Sequence, residues 1–241
     1  MAIGLALNYK DKVKSIRPES LIAYYPLDEE RGTAIGDHSL QANHGTATSV
    51  ILADDTGPDG LPAPRFDGTN SYINIYSAAL DTDFSETTGS ASVWVRVLNS
   101  TQLENTTRRG ILALGADTSN IVYIERTTTA NTFRIAYIGG GTTDSVSPTF
   151  YKDGSYEIPW VHLGVTWDVT NNELKAYANG VQSGTTQASL GTWSGALAST
   201  LCTIGAINTT PTSGWSGWIK HVAIWNAELS ADDMLRLGTM A

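Results

Sequence analysis

The sequence predicts an all-β chain of antiparallel strands, and three observations carry that expectation. The first is period-two alternation. Between Trp160 and Trp167, Val161, Leu163, Val165 and Trp167 fall on one side of an extended chain, and Trp160, His162, Gly164 and Thr166 on the other. The second is turn chemistry. Val169-Thr170-Asn171-Asn172 ends that strand, 174–178 forms the next, and Asn179-Gly180 reverses it into a third at 181–186. Asn and Gly both accept the positive φ that a tight hairpin needs. The third is composition: 23 Gly and 16% charged residues against 41% hydrophobic ones suit many short strands joined by turns, and not a helical bundle.

The other elements follow in order. Residues 1–20 read as an arm, with Ile3, Leu5 and Leu7 alternating before a basic patch of Lys10, Lys12, Lys14 and Arg17. It is either a frayed leader or a strand that docks on a neighbouring subunit. Residues 21–27 form the first clear strand, followed by a polar loop from Gly36 to Gly45 and a strand over 46–52. The Pro/Gly/Asp-rich stretch 53–64 reads as a loop, and Tyr72, Asn74 and Tyr76 alternate with Ile73 and Ile75 in a half-buried strand. Residues 90–98 are apolar on both faces, as a strand deep in a sandwich would be. Strands are expected at 110–114, 121–126, 132–138, 201–207 and 217–225. One helix stands out at 229–237, with Ser230 placed to cap it and Asp232 and Asp233 in its positively polarised first turn. No linker or fixed-period repeat divides residues 21–241, which read as one domain.

Charge and cysteine content narrow the function. A net charge of −9 repels a phosphate backbone, so neither nucleic acid nor an anionic membrane surface is an expected partner. Cys202 is the only cysteine, so there is no internal disulfide and no thiolate cluster; its strand-like surroundings predict an inert buried thiol. The N-terminus lacks the order of a secretory signal, which implies either a removed leader or a protein kept inside the producing cell.

Several blocks then occur in one order: Leu21-Ile-Ala-Tyr-Tyr-Pro-Leu-Asp, the loop from Asp37 to Gly45, Phe66-Asp67-Gly68, Ser92-Val93-Trp94-Val95, Trp160-Val-His-Leu-Gly-Val-Thr-Trp-Asp, Leu174-Lys-Ala-Tyr-Ala-Asn-Gly, and Gly217-Trp-Ile-Lys-His-Val-Ala-Ile-Trp-Asn. Together they resemble the laminin-G-like, concanavalin A-like jelly-roll superfamily in its bacterial and phage form. The resemblance implies a two-sheet antiparallel jelly-roll sandwich with one short C-terminal helix, and the first strand beside 217–225. It also implies a structural Ca²⁺ held by loop oxygens, with Asp37, Asn43 and Asp67 as ligands. Leu40 stands where that loop commonly carries glycine, and the alternative is a plain Asx-turn loop with no ion.

Hydrolysis needs two carboxylates placed across a scissile bond. The nearest acidic run, Asp81-Thr82-Asp83-Phe84-Ser85-Glu86, lies in a connection, so no enzyme is expected. Glycan binding needs exposed aromatic faces together with amide and carboxylate partners. Tyr72, Tyr76, Tyr123, Tyr137, Trp193 and Trp215 are the candidates, with Trp193, Trp215 and Tyr76 foremost. Trp94, Trp160, Trp167 and Trp225 are assigned to packing. Two function classes remain. One is a structural or attachment component of a phage-type virion, a capsid decoration or tail protein made in the host cytoplasm, with residues 1–20 contacting itself or other virion proteins. The other is a carbohydrate-binding module of an extracellular protein, whose partner is a cell-surface glycan.

Overall fold

The computed structural model describes residues 8–148 and 159–240. In chain order these form α1 (Tyr9–Ser15), β1 (Leu21–Tyr25), β2 (Ala34–Ile35), β3 (Gly45–Thr48), β4 (Ile51–Thr56), β5 (Pro62–Asp67), β6 (Tyr72–Asn74), α2 (Ala78–Asp83), β7 (Thr88–Val97) and α3 (Ser100–Glu104). They continue with β8 (Arg109–Asp117), β9 (Asn120–Arg126), β10 (Phe133–Gly139), β11 (Thr142–Val146), β12 (Val161–Asp168), β13 (Glu173–Ala178), β14 (Val181–Gln182), β15 (Cys202–Ile204), β16 (Ser216–Trp225) and α4 (Ala231–Leu237).

The strands pair into two antiparallel sheets. Sheet A runs β14-β13-β12-β7-β16-β5-β4, with β1 also on β16, and sheet B runs β11-β10-β9-β8-β15-β6-β3-β2. Their facing sides interdigitate in one core: Val93, Val95, Trp167 and Ile219 from sheet A meet Leu112, Ile124, Ile135 and Ile204 from sheet B. This is the expected jelly-roll sandwich, closed as expected by β1 on β16. Strand β16 serves two partners on one edge, β5 with its first residues and β1 with its last. The switch falls at a bulge between Lys220 and Ala223, where His221 adopts φ 51. Gly217, the second residue of this strand, has φ 142, and a Cβ there would stand 2.1 Å from the Arg96 carbonyl oxygen, so β16 can lie this close to β7 only with glycine.

A second core covers the outer face of sheet A. Tyr9, Val13 and Ile16 of the α1 segment and Met234 and Leu237 of α4 pack on Trp94, Ala223 and Trp225. Trp94 and Trp225 therefore do pack, but outside the sandwich interior, and this explains why 90–98 is apolar on both faces. The Tyr9 hydroxyl donates to the Leu237 carbonyl at 2.6 Å and accepts from Trp94 Nε1 at 2.8 Å, while Trp225 Nε1 donates to the Ile16 carbonyl at 2.9 Å. Helix α4 carries the expected Ser230 cap, and Asp233 completes a capping box.

Three local expectations are corrected. The arm expected over 1–20 is part of the domain from Asn8 onward; the Ile3/Leu5/Leu7 alternation lies outside the described residues. The strand expected over 46–52 is two strands in different sheets, separated at Ser49, which has φ 54. The loop expected over 53–64 contains the β4–β5 hairpin, whose tip, Gly57–Leu61, is held by the Gly57 amide donating to the Leu61 carbonyl at 2.7 Å.

Candidate functional site

The outer face of sheet A is only partly covered by the helices. Beyond Trp94, one cross-strand row stays at the surface. Arg96 on β7 pairs with Trp218 on β16, which pairs with Arg65 on β5. Trp160 enters β12 on the other flank of Arg96, since Val161 pairs with Val95. The Arg96 guanidinium lies 4.2 Å from the Trp218 ring centroid and 5.2 Å from that of Trp160. Strand β4 adds carboxylates: Asp55 pairs with Arg96, and Asp54 accepts from Trp218 Nε1 at 3.0 Å and stands 3.1 Å from Arg65. Trp160, Arg96, Trp218 and Arg65 are all half-buried.

Two residues beyond Trp218 on the same face, Lys220 lies wholly buried under the hairpin tip, 3.6 Å from Asp59. Asp59 also stands 3.0 Å from His221 Nε2, and His221 Nδ1 is 2.8 Å from the Tyr24 hydroxyl. Burial works to raise the Asp59 carboxyl, but the contacts with His221, Lys220 and the Leu61 amide outweigh it and hold the group at about 2. Asp59 therefore presents a charged carboxylate to a cavity of about 510 Å³. Its walls are mostly apolar (Tyr9, Pro58, Leu61, Met240), with Asn8, Lys10 and Asp59 as polar groups. One hairpin thus supplies both the carboxylates of the aromatic row and the floor of the cavity.

The residues singled out from sequence fall elsewhere. Trp215 is fully buried and Trp193 is 8% exposed. Trp193 packs between Phe84 and Tyr137, and the Trp215 indole donates to the Trp218 carbonyl. The exposure expected of both is corrected: their Gly/Ser/Thr-rich segments fold the rings inward. Tyr76 is half-buried against the sandwich core, and Tyr123 and Tyr137 are buried. Trp160, assigned to packing, does pack against the second core, with part of its ring left at the surface beside Arg96. Strand parity could have found Trp218, because it alternates with core residue Ile219.

Asp37 and Asn43 come together, but as a clasp. Asp37 Oδ1 accepts from the amides of Tyr24 and Ser39, and Oδ2 from the Asn43 amide and the Ser39 hydroxyl. Asn43 donates to the Ile22 carbonyl and accepts from the Ser77 hydroxyl. Asp67 instead closes its own turn, accepting from the amides of Thr69, Asn70 and Ser71. Burial opposes the charge on Asp67, yet those amides hold its carboxyl at about 2. Both Asp37 oxygens and the Asn43 oxygen already accept protein donors, and Asp67 lies in a separate loop, so these three residues do not fit one shared calcium shell, which needs six or more oxygens. No cluster of three or more His, Cys, Asp or Glu suited to a metal occurs among the described residues. Adding calcium after chelation is expected to leave the melting temperature unchanged; a rise of several degrees would reveal a site these loops do not explain.

Nothing among the described residues assembles catalytic machinery. His162 bonds Ser92 at 2.8 Å, but burial lowers its pKa to about 3 and its Nδ1 has no partner to orient it. Asp81 accepts from the Leu197 amide. Cys202 is buried, and burial raises its thiol to about 12. No helix among the described residues is long and apolar enough to cross a membrane.

The family model described as the concanavalin A-like lectin/glucanases superfamily matches residues 33–234. The chain belongs to that superfamily. No curated protein sequence matches it. Among solved structures, the receptor-binding domain of botulinum neurotoxin type G aligns with a TM-score of 0.65 at 19% identity, over 91% of this chain and 51% of that one. The binding domain of Paraclostridial Mosquitocidal Protein 1 aligns at 0.67 and 15%, over 92% and 52%. Domain 4 of AbnA, an extracellular arabinanase from Geobacillus stearothermophilus in complex with arabinotriose, aligns at 0.62 and 20%, over 91% and 98%. The chain spans about half the length of the toxin domains it matches.

These matches overturn the expectation of a phage-type virion component and of a virion location, because the fold is shared here with toxin binding domains and a module of an extracellular enzyme. The arm on which that expectation leaned is, from Asn8, part of the domain. What stands is a jelly roll of the concanavalin A-like superfamily.

Proposed function

We propose that the chain is a carbohydrate-binding, lectin-like module acting outside the cell, with its saccharide held on the outer face of sheet A. One observation carries the reading: the half-exposed Trp160–Arg96–Trp218 row, beside a cavity whose mostly apolar walls are tipped by a charged carboxylate, an ammonium and an amide. A sugar ring presents C–H faces to indoles and hydroxyls to carboxylates and amides, so it needs that combination. The arabinotriose complex of the arabinanase domain supports a saccharide on this fold. The acidic and basic groups of the row pair with one another, which favours a neutral sugar there.

Calorimetric titration with arabinotriose, followed by a panel of neutral oligosaccharides, tests this. Trp218→Ala is expected to weaken binding by about 2 kcal/mol, roughly 30-fold, as for an aromatic anchor. Being half-exposed, Trp218 should tolerate this with little change in melting temperature. Undiminished affinity in the variant would move the site off this face, and failure of every neutral saccharide to bind would remove the reading.

A further inference from the structure

The outer face of sheet B carries a separate feature, a concentration of positive charge on a chain of net charge −9. On that face Arg134 pairs across strands with Glu125, whereas Arg109 and Arg126 pair with each other at the edge of the opposite face, where Arg126 also stands across from core residue Phe133. Arg108 directly precedes β8. Two of these four arginines are structural. Arg126 donates to the carbonyls of Leu103, Asn105 and Thr107, and Arg109 to those of Gly68 and Gly214.

Arg108 and Arg134 differ. Arg108 gives its Nε to Glu125, and Arg134 Nε stands 3.3 Å from the same carboxylate. Among the described residues, the terminal nitrogens of both make no hydrogen bond. Two guanidiniums against one buried carboxylate leave one positive charge over, with both forks oriented by Glu125. Between them lies Tyr123, its ring 4.9 Å from the Arg134 guanidinium and 5.5 Å from that of Arg108. Tyr123 is 2% exposed, yet its hydroxyl has no hydrogen-bond partner.

A cavity of about 190 Å³ opens beside Arg108, with Asn208, Thr212 and Ser213 supplying polar wall groups and Ile207 an apolar one. Ile207 also packs on the cluster that contains Tyr123. The wall is fixed: the Gly110 amide donates to the Ser213 carbonyl at 3.0 Å, and a Cβ on Gly110 would stand 2.6 Å from the Ile207 nitrogen. The cavity is smaller than the roughly 300 Å³ at which pockets for drug-sized ligands begin, so it suits one charged substituent.

We propose that Arg108 and Arg134, packed over the Tyr123 ring and oriented by Glu125, form an oxyanion site that takes the carboxylate or sulfate group of an acidic saccharide. The guanidinium forks match a planar or tetrahedral oxyanion through paired N–H donors, and the Thr212 and Ser213 side chains of the cavity beside Arg108 flank the attached ring. The word saccharide rests on the lectin reading above; the oxyanion does not.

The test is calorimetric titration of the whole chain with sodium sulfate, sodium glucuronate, galactose 6-sulfate and galactose. Wild type, Arg134→Gln, Tyr123→Phe and Trp218→Ala are compared. One or both acidic sugars should bind more tightly than galactose, with affinity falling as salt rises. Arg134→Gln should weaken the acidic probes tenfold or more, and Trp218→Ala should not. Tyr123→Phe keeps the ring under both guanidiniums and should leave the acidic probes bound as in wild type. Glucuronate and galactose 6-sulfate separate the carboxylate from the sulfate source. Sulfate binding that depends on Arg134, with no saccharide bound anywhere, would sustain the oxyanion site and remove the lectin reading. Acidic probes that fail to bind wild type, or bind Arg134→Gln as tightly as wild type, overturn the proposal.

Discussion

Trp215→Ala is expected to destabilise the protein by about 3–5 kcal/mol, the usual range for emptying a fully buried aromatic site. The ring has no exposed surface and lies 6.2 Å from the Phe133 ring, within the cluster that joins the two sheets. Its amide donates to the Gly205 carbonyl at 2.7 Å, and its indole to the Trp218 carbonyl at 3.2 Å. Truncation therefore opens a cavity at the start of β16 and removes a bond that steadies Trp218. For a domain of this size that loss corresponds to a fall in melting temperature of roughly 6–20 °C. Denaturant titration should show a lower midpoint with an unchanged slope. Saccharide binding, measured where the variant is still folded, should survive in weakened form. A variant with wild-type stability that bound nothing would instead make Trp215 a contact residue.

Deleting residues 1–16 should have a still larger effect. The deletion uncovers Trp94, Trp225, Met234 and Leu237, and it breaks the hydrogen bonds that Trp94 and Leu237 share with the Tyr9 hydroxyl and that Trp225 makes to the Ile16 carbonyl. Full burial of Tyr9, Val13 and Ile16 is each worth about 1.5–3 kcal/mol before the entropy of ordering the helix is counted. An apolar patch of this kind on sheet A invites self-association. Reduced soluble yield, binding of a hydrophobic dye and a shift to larger species on gel filtration are the expected readouts. A detachable arm would leave all three unchanged.

The segment's helical character was visible in the sequence. Tyr9, Val13 and Ile16 recur at i, i+4 and i+7, with Lys10, Lys12 and Lys14 elsewhere around the helix. The apolar alternation just before it drew the reading towards a strand. The meander was legible for the opposite reason, because its period-two pattern and its turn agree: Asn179 and Gly180 take φ 48 and 79, as the two-residue reversal requires. The β4–β5 hairpin was hidden by Pro62, Pro64 and its acidic residues, which read as loop composition. Neighbours on β16 and on the chain ends, not local propensity, hold it extended. That one miss concealed the carboxylates of the candidate site. Neighbouring residue types were also a poor guide to tryptophan exposure. Trp193 and Trp215 turn inward from small-residue segments, while Trp218 stays at the surface of a strand that is otherwise mostly buried.

The most direct measurement follows the seven indole N–H signals by NMR during titration with a neutral oligosaccharide that binds. A ligand on the outer face of sheet A should shift the signals of Trp160 and Trp218 first and furthest, leaving those of Trp167, Trp193 and Trp215 in place. Shifts centred on Trp193 or Trp215, with Trp160 and Trp218 unmoved, would contradict the account.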